Sequence, residues 1–146
     1  MSILSVATQK QVEKAIVEQG LLSPEKFQEV RELAEQKDEP LFSSMITGGY
    51  ITNEDLTKMV AHVAKMPYVN LTNSHIDPKI LSLLPKEIAE RYMSVPLGEM
   101  NNRLVVAMLD ADNVQAVDFM SNKIGRPLKV YAASEEGIKN VLKQYQ

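Results

Sequence analysis

The 146-residue sequence has no cysteine and no tryptophan. Without cysteine there is neither a disulfide scaffold nor a thiolate metal site, and a reducing, cytoplasmic setting fits. Aromatic residues make up only 5% of the chain, so a core has to be built from aliphatic side chains and the eight methionines. The two histidines, His62 and His75, each lack a second ligand at metal-binding spacing, and no metal or other cofactor is expected. An excess of charge is missing as well: 16 basic against 19 acidic residues leave −3, which offers no electrostatic footprint for nucleic acid. No apolar run approaches the ~18 residues of a membrane span, so no direct membrane insertion is expected. The opening MSILSVATQK does not read as a secretory signal. The phosphate-loop pattern G-x-x-x-x-G-K-[ST] occurs nowhere, and Gly48-Gly49 reads as a helix stop. The chain is therefore expected not to be an enzyme by itself.

What is present is a strong local pattern from Arg103 to Tyr131. Leu104–Leu109 is a valine-rich run long enough for a strand and too short for a free-standing helix. Val117, Met120 and Ile124 recur at i, i+3, i+7 and give the next segment one apolar helical face. Gly125 stops that helix and Pro127 blocks its continuation. Leu128, Val130 and Ala132 then alternate with Lys129 and Tyr131, a strand period. The spacing predicts strand–helix–strand with the two strands as parallel neighbours. Val95–Leu97 adds a strand before it, turned at Met100-Asn101-Asn102, with Asn102 expected at positive φ. Asp112 is expected to cap the central helix, and Ser134 a last helix bearing Ile138, Val141, Leu142 and Tyr145. A helix bent or divided at Pro85 leads into this half.

The first half is helical. Thr8 is placed as the cap of a first helix with Val12, Ala15 and Ile16 on its buried side. Ser23-Pro24-Glu25 opens a second helix, whose expected core face is Phe27, Val30, Leu33 and Ala34. Leu41, Phe42, Met45 and Ile46 make a short third helix. Thr52–Asp55 has capping-box spacing ahead of a fourth, with Leu56, Met59, Val60 and Val63. A shift of 29 residues lays Val12 on Leu41, Ile16 on Met45, Val17 on Ile46, Gly20 on Gly49, Leu22 on Ile51, Ser23 on Thr52 and Phe27 on Leu56. Two degenerate copies make a compact pseudo-symmetric unit and fall short of a solenoid. The fold class is thus α+β: a helical subdomain over 1–72 and a small α/β (β-β-α-β-α) subdomain over 77–146, with the polar Asn73–Pro78 stretch as hinge.

Several phrases in order then resemble a known family. LLPKEIAERYMSVPL, RLVVAMLDADNVQAVDFM and KVYAASEEGI are similar to the amino-terminal region of the type II secretion and type IV pilus assembly ATPases, the general secretion E-protein family. The likeness runs through Leu84, Pro85, Ala89, Tyr92, Pro96, Leu104, Ala107, Asp110 and Asp112. QGLLSPEKF, GGYITNEDL and MPYVNL resemble the family's helical half. The resemblance implies a cytoplasmic docking and regulatory domain ahead of a hexameric ATPase core. Its partners would be that core, in its own parent chain, and the cytoplasmic domain of an inner-membrane platform protein. Ile3, Leu4 and Val6 precede the first capped helix, where no pattern assigns them to a core, and they are the candidate partner-docking residues.

Two kinds of chemistry can be weighed on this sequence. Asp110-Ala111-Asp112-Asn113-Val114 mimics a phosphoaspartyl box, but the later lysine and acid pair that chemistry needs are missing, and turn formation is the better reading. The resemblance also raises cyclic di-GMP: some relatives bind it through the helical repeats, with R-L-G opening each copy and a glutamine on the following helix. The corresponding openings here are Gln11-Val12-Glu13 and Pro40-Leu41-Phe42, and the glutamine positions fall near Ala34 and Val63. In that alternative, the nucleotide-binding positions would be Gln11, Val12, Gly20, Leu41 and Gly49. Arginine and glycine are missing from both openings, and Glu13 would repel an anionic ligand.

Overall fold

The computed structural model of the chain describes residues 6–145. Four helices come first: α1 (Val6–Glu18), α2 (Pro24–Lys37), α3 (Leu41–Thr47) and α4 (Asn53–Ala64). α1 packs on α4 and α2 on α3, so the two copies of the repeat embrace each other. Their shared core holds Val12, Ile16, Leu22, Phe27, Val30, Phe42, Met45, Ile51 and Leu56. Ser23 caps α2 by accepting the Lys26 N–H at 3.1 Å. At α4, Thr52 and Asp55 close a reciprocal capping box, with bonds of 3.0 and 3.2 Å.

Two expectations for this half are corrected. α1 begins at Val6, so Thr8 lies inside the helix; nothing in Val6-Ala7 breaks helical conformation, and the helix extends upstream past it. Leu33 is 36% exposed. It stands at the margin of the stripe formed by Phe27, Val30 and Ala34, over a groove it shares with Tyr50.

The second half is a three-stranded sheet with helices on both faces, the α+β architecture expected. α5 (Pro78–Leu81) and α6 (Lys86–Tyr92) are separate short helices divided around Pro85, and they lead to β1 (Ser94–Met100). β2 (Arg103–Met108) follows, then α7 (Val114–Ile124), β3 (Leu128–Ala132) and α8 (Glu135–Leu142). The sheet order is β1-β2-β3; β1 pairs antiparallel with β2, and β2 parallel with β3 from Leu104↔Leu128 to Met108↔Ala132. β1 is bulged between Pro96 and Gly98, and a proline in a strand fits such an irregular edge position.

β2 reads as an unbroken apolar run because both of its faces are covered. Leu104, Val106 and Met108 point to one core with Ala116 and Met120 of α7 and Ala89 of α6. Ala107 points to the other, with Ile138 and Val141 of α8 and Leu81 of α5. Two local assignments differ from expectation. Asn101, not Asn102, takes positive φ (57°), the first loop position of a two-residue hairpin, where primed turns match strand twist. Asn113, not Asp112, caps α7: its side chain accepts the Ala116 N–H at 3.1 Å, whereas Asp112 lies one residue outside the cap.

The link between the halves is ordered. Val69 N–H donates to the Ala132 carbonyl at 2.9 Å and Ala132 N–H to the Pro67 carbonyl at 2.7 Å, so Tyr68 continues the sheet in parallel beside β3. Leu71 and Ile76 are buried in the core under α8. The Asn73–Pro78 stretch, expected as the hinge, is hydrogen-bonded to side chains at the end of the chain. Asn140 Nδ2 donates to the Leu71 and Ser74 carbonyls at 2.8 and 3.1 Å, and Gln144 Oε1 accepts the Ile76 N–H at 2.9 Å. Gly137 makes this close approach possible, since a Cβ there would stand 3.0 Å from Leu71 Cβ.

Candidate functional site

The helical half carries Val6, Gln11, Val12, Gly20, Leu41 and Gly49, the described candidates named from sequence. Its two helix–turn–helix copies correspond in their bonding as well as their pattern. In the first copy Leu21 N–H donates to the Ile16 carbonyl at 3.0 Å and Gly20 N–H to the Val17 carbonyl at 3.1 Å. In the second, Tyr50 N–H donates to the Met45 carbonyl at 2.9 Å and Gly49 N–H to the Ile46 carbonyl at 3.1 Å. This is the Schellman pair of bonds that closes a helix around a left-handed residue. Gly20 and Gly49 hold that position at φ 77° and 76°, where a side chain would be strained.

The remaining candidates separate by exposure. Gln11 is on the surface of α1, Val12 is wholly buried, and Leu41 is half-buried against the helical core. Val12 thus has a packing role and no open face toward a ligand. Val6 is 74% exposed on the first turn of α1, ahead of the buried stripe that anchors the helix. Ile3 and Leu4 lie outside the described residues. Glu13, in the first repeat opening, is the partner of Arg31 from α2, and the Arg31 guanidinium lies 5.1 Å from the Phe27 ring centroid. A groove lined by Lys10, Glu13, Lys14, Val17, Phe27 and Arg31 runs over this pair. In the second opening Phe42 is buried in the core. His62 is exposed on α4, and among the described residues no group of acids and histidines could hold a metal.

Glu54 had no expected role beyond the first turn of α4. In the structure its carboxylate accepts the Tyr68 hydroxyl on one oxygen and the Ser134 hydroxyl on the other. Both donors belong to the sheet side of the molecule. Burial and the neighbouring Glu54 carboxylate push the Tyr68 hydroxyl well above the ordinary phenol pKa, which keeps it protonated as a donor. An acid on the first turn of a helix already satisfies its local rule, so nothing local in the sequence signals this longer reach.

The MshEN domain family matches residues 64–146. The chain is 28% identical over 130 residues to the type IV pilus assembly ATPase PilB of Myxococcus xanthus, covering 89% of the chain and 23% of that protein. It is 33% identical over 78 residues to PilB of Thermus thermophilus, covering 53% and 9%. The chain therefore spans less than a quarter of either relative's length. Among solved structures it is similar in fold to MshE with cdg, with a TM-score of 0.67 at 20% identity, covering 92% of this chain and 98% of that one. The amino-terminal domain of XpsE is similar with a TM-score of 0.56 at 17% identity, covering 99% of each. Among the described residues no helix is long and apolar enough to cross a membrane.

Proposed function

The chain belongs to the MshEN domain family found in the type II secretion and type IV pilus assembly ATPases, and from that premise we propose that it is the non-catalytic docking and regulatory domain of such an ATPase. It seats the motor, on the cytoplasmic side, against the cytoplasmic domain of an inner-membrane platform protein, and it is covalently continuous with the ATPase core of its parent chain. The observation that carries this reading is Val6, an apolar side chain left 74% exposed on the first turn of α1. Interfaces concentrate their energy in a few such anchors, which become buried only when the partner arrives. Ile3 and Leu4 extend the same apolar sequence. ATP turnover is assigned to the rest of the parent, because the phosphate loop is absent here.

A second reading, a cyclic di-GMP sensor, is favoured by one observation: a structure of MshE with cdg shares this fold. Against it stand the repeat openings. Glu13 places a carboxylate beside the guanidinium of Arg31, and Phe42 is packed inward. One comparison separates the two readings. Val6→Asp combined with Ile3→Asp is expected to weaken capture of the platform's cytoplasmic domain while the melting temperature holds, and calorimetric titration of the unmutated protein with cyclic di-GMP is expected to give no micromolar binding. Unaltered capture rejects the docking surface; micromolar binding instead establishes the sensor.

A further inference from the structure

Glu54 sits where the helical half meets the sheet. α4 is the helix the two halves share: Leu56 is buried in the helical core and Ala61 in the core beneath α7. At its carboxyl end α4 turns through Lys65 in left-handed conformation (φ 58°), and Pro67–Val69 is then bonded to β3. That end is fixed by the chain. A helix of this length is roughly 18 Å long, so a fixed point at one end alone leaves the other free to swing through a wide arc. The amino end is where Glu54 lies.

Both hydroxyls that reach Glu54 are rigidly held on the sheet side. Tyr68 is flanked by the two backbone bonds that join Pro67 and Val69 to Ala132. Ser134 caps α8, its oxygen already accepting the Gly137 N–H at 3.0 Å, so its own hydrogen is the group left to donate. Lys58, one turn further along α4, stands 5.6 Å from the Tyr68 ring centroid. Small apolar contacts such as Ala61 tolerate sliding; a carboxylate taking two hydroxyls from different elements does not, because each bond is directional and charge-assisted.

We propose that Glu54 is an orientation latch. Its carboxylate gathers Tyr68 and Ser134 at once and so fixes the angle at which the helical repeats sit on the sheet. A load applied to the repeats is then carried through α4 to β3 and the start of α8, instead of being lost in a swivel at Lys65.

The absence of cysteine makes a clean distance measurement possible. Spin labels are placed at Lys37→Cys on α2 and Lys123→Cys on α7, both exposed, in the full chain. The unmutated Glu54 background is expected to give a single narrow distance. Glu54→Ala is expected to lose it while thermal unfolding stays cooperative; a narrow distance retained in Glu54→Ala overturns the latch. If Glu54→Ala does not fold, Tyr68→Phe, which removes one hydroxyl and keeps the ring, is read in the same way. Broadening then supports the latch, and an unchanged distance overturns it.

Discussion

A carboxylate partly withdrawn from water needs donors in place of the solvent it has lost, and Glu13 and Glu54 meet that need in opposite ways. Glu13 takes a guanidinium from a neighbouring helix of its own half, which joins α1 to α2. Glu54 takes two neutral hydroxyls from the other half, which ties the molecule together. Tyr145 meets the converse need, an acceptor for a half-buried donor: its hydroxyl donates to the Leu84 carbonyl at 2.9 Å, and burial raises its pKa to about 12. Because the folded state holds this proton more tightly than the unfolded state, its contribution is complete below the ordinary phenol value of about 10 and is lost as pH rises from there to about 12. Tyr145→Phe is therefore expected to cost about 1 kcal/mol at neutral pH. Its stability is also expected to fall less between pH 10 and pH 12 than that of the parent; denaturant titrations across that range check both, and parallel pH curves would contradict the assignment.

At the scale of the element, motifs closed within a few residues were legible in the sequence. Ser23, Thr52 and Ser134 cap α2, α4 and α8 as expected because each bonds an N–H three positions ahead. The repeat was legible for the same reason, since both copies close on the same pair of bonds around Gly20 and Gly49. Gly20→Ala and Gly49→Ala are each expected to destabilise by about 1–2 kcal/mol, and by similar amounts, since nothing lies within 4 Å of either position to add a clash. Thermal melts of the two single variants test this; a large loss at one and none at the other would break the equivalence. Illegible were choices between neighbours of equal chemistry, such as Asp112 and Asn113 or Asn101 and Asn102, where the path of the loop decides. Illegible too were the partners of Glu54, which lie 14 and 80 residues away on the sheet side.

For the whole molecule the question is where one folding unit gives way to the next. The composition of Asn73–Pro78 suggests a border there, because polar residues without apolar period commonly mark linkers. Its backbone carbonyls and N–H groups are nonetheless taken up by Asn140 and Gln144, and Leu71 and Ile76 are buried beneath α8. Polarity in this stretch serves tertiary hydrogen bonds. We propose that the border lies at Lys65, where α4 ends in a left-handed residue and the chain passes from the helical side to the edge of β3; the family match, which begins at residue 64, supports the same reading. A fragment of residues 64–146 is then expected to unfold cooperatively. A fragment of residues 77–146 lacks Leu71 and Ile76 and leaves an apolar cavity against Ile138 and Val141. Removing two buried aliphatic side chains costs about 2–5 kcal/mol each, a large part of the roughly 5–15 kcal/mol that holds a domain of ordinary stability. The shorter fragment is therefore expected to melt far lower or without a cooperative transition. Calorimetry on the two fragments side by side decides: equal melting temperatures would return the border to Asn73–Pro78.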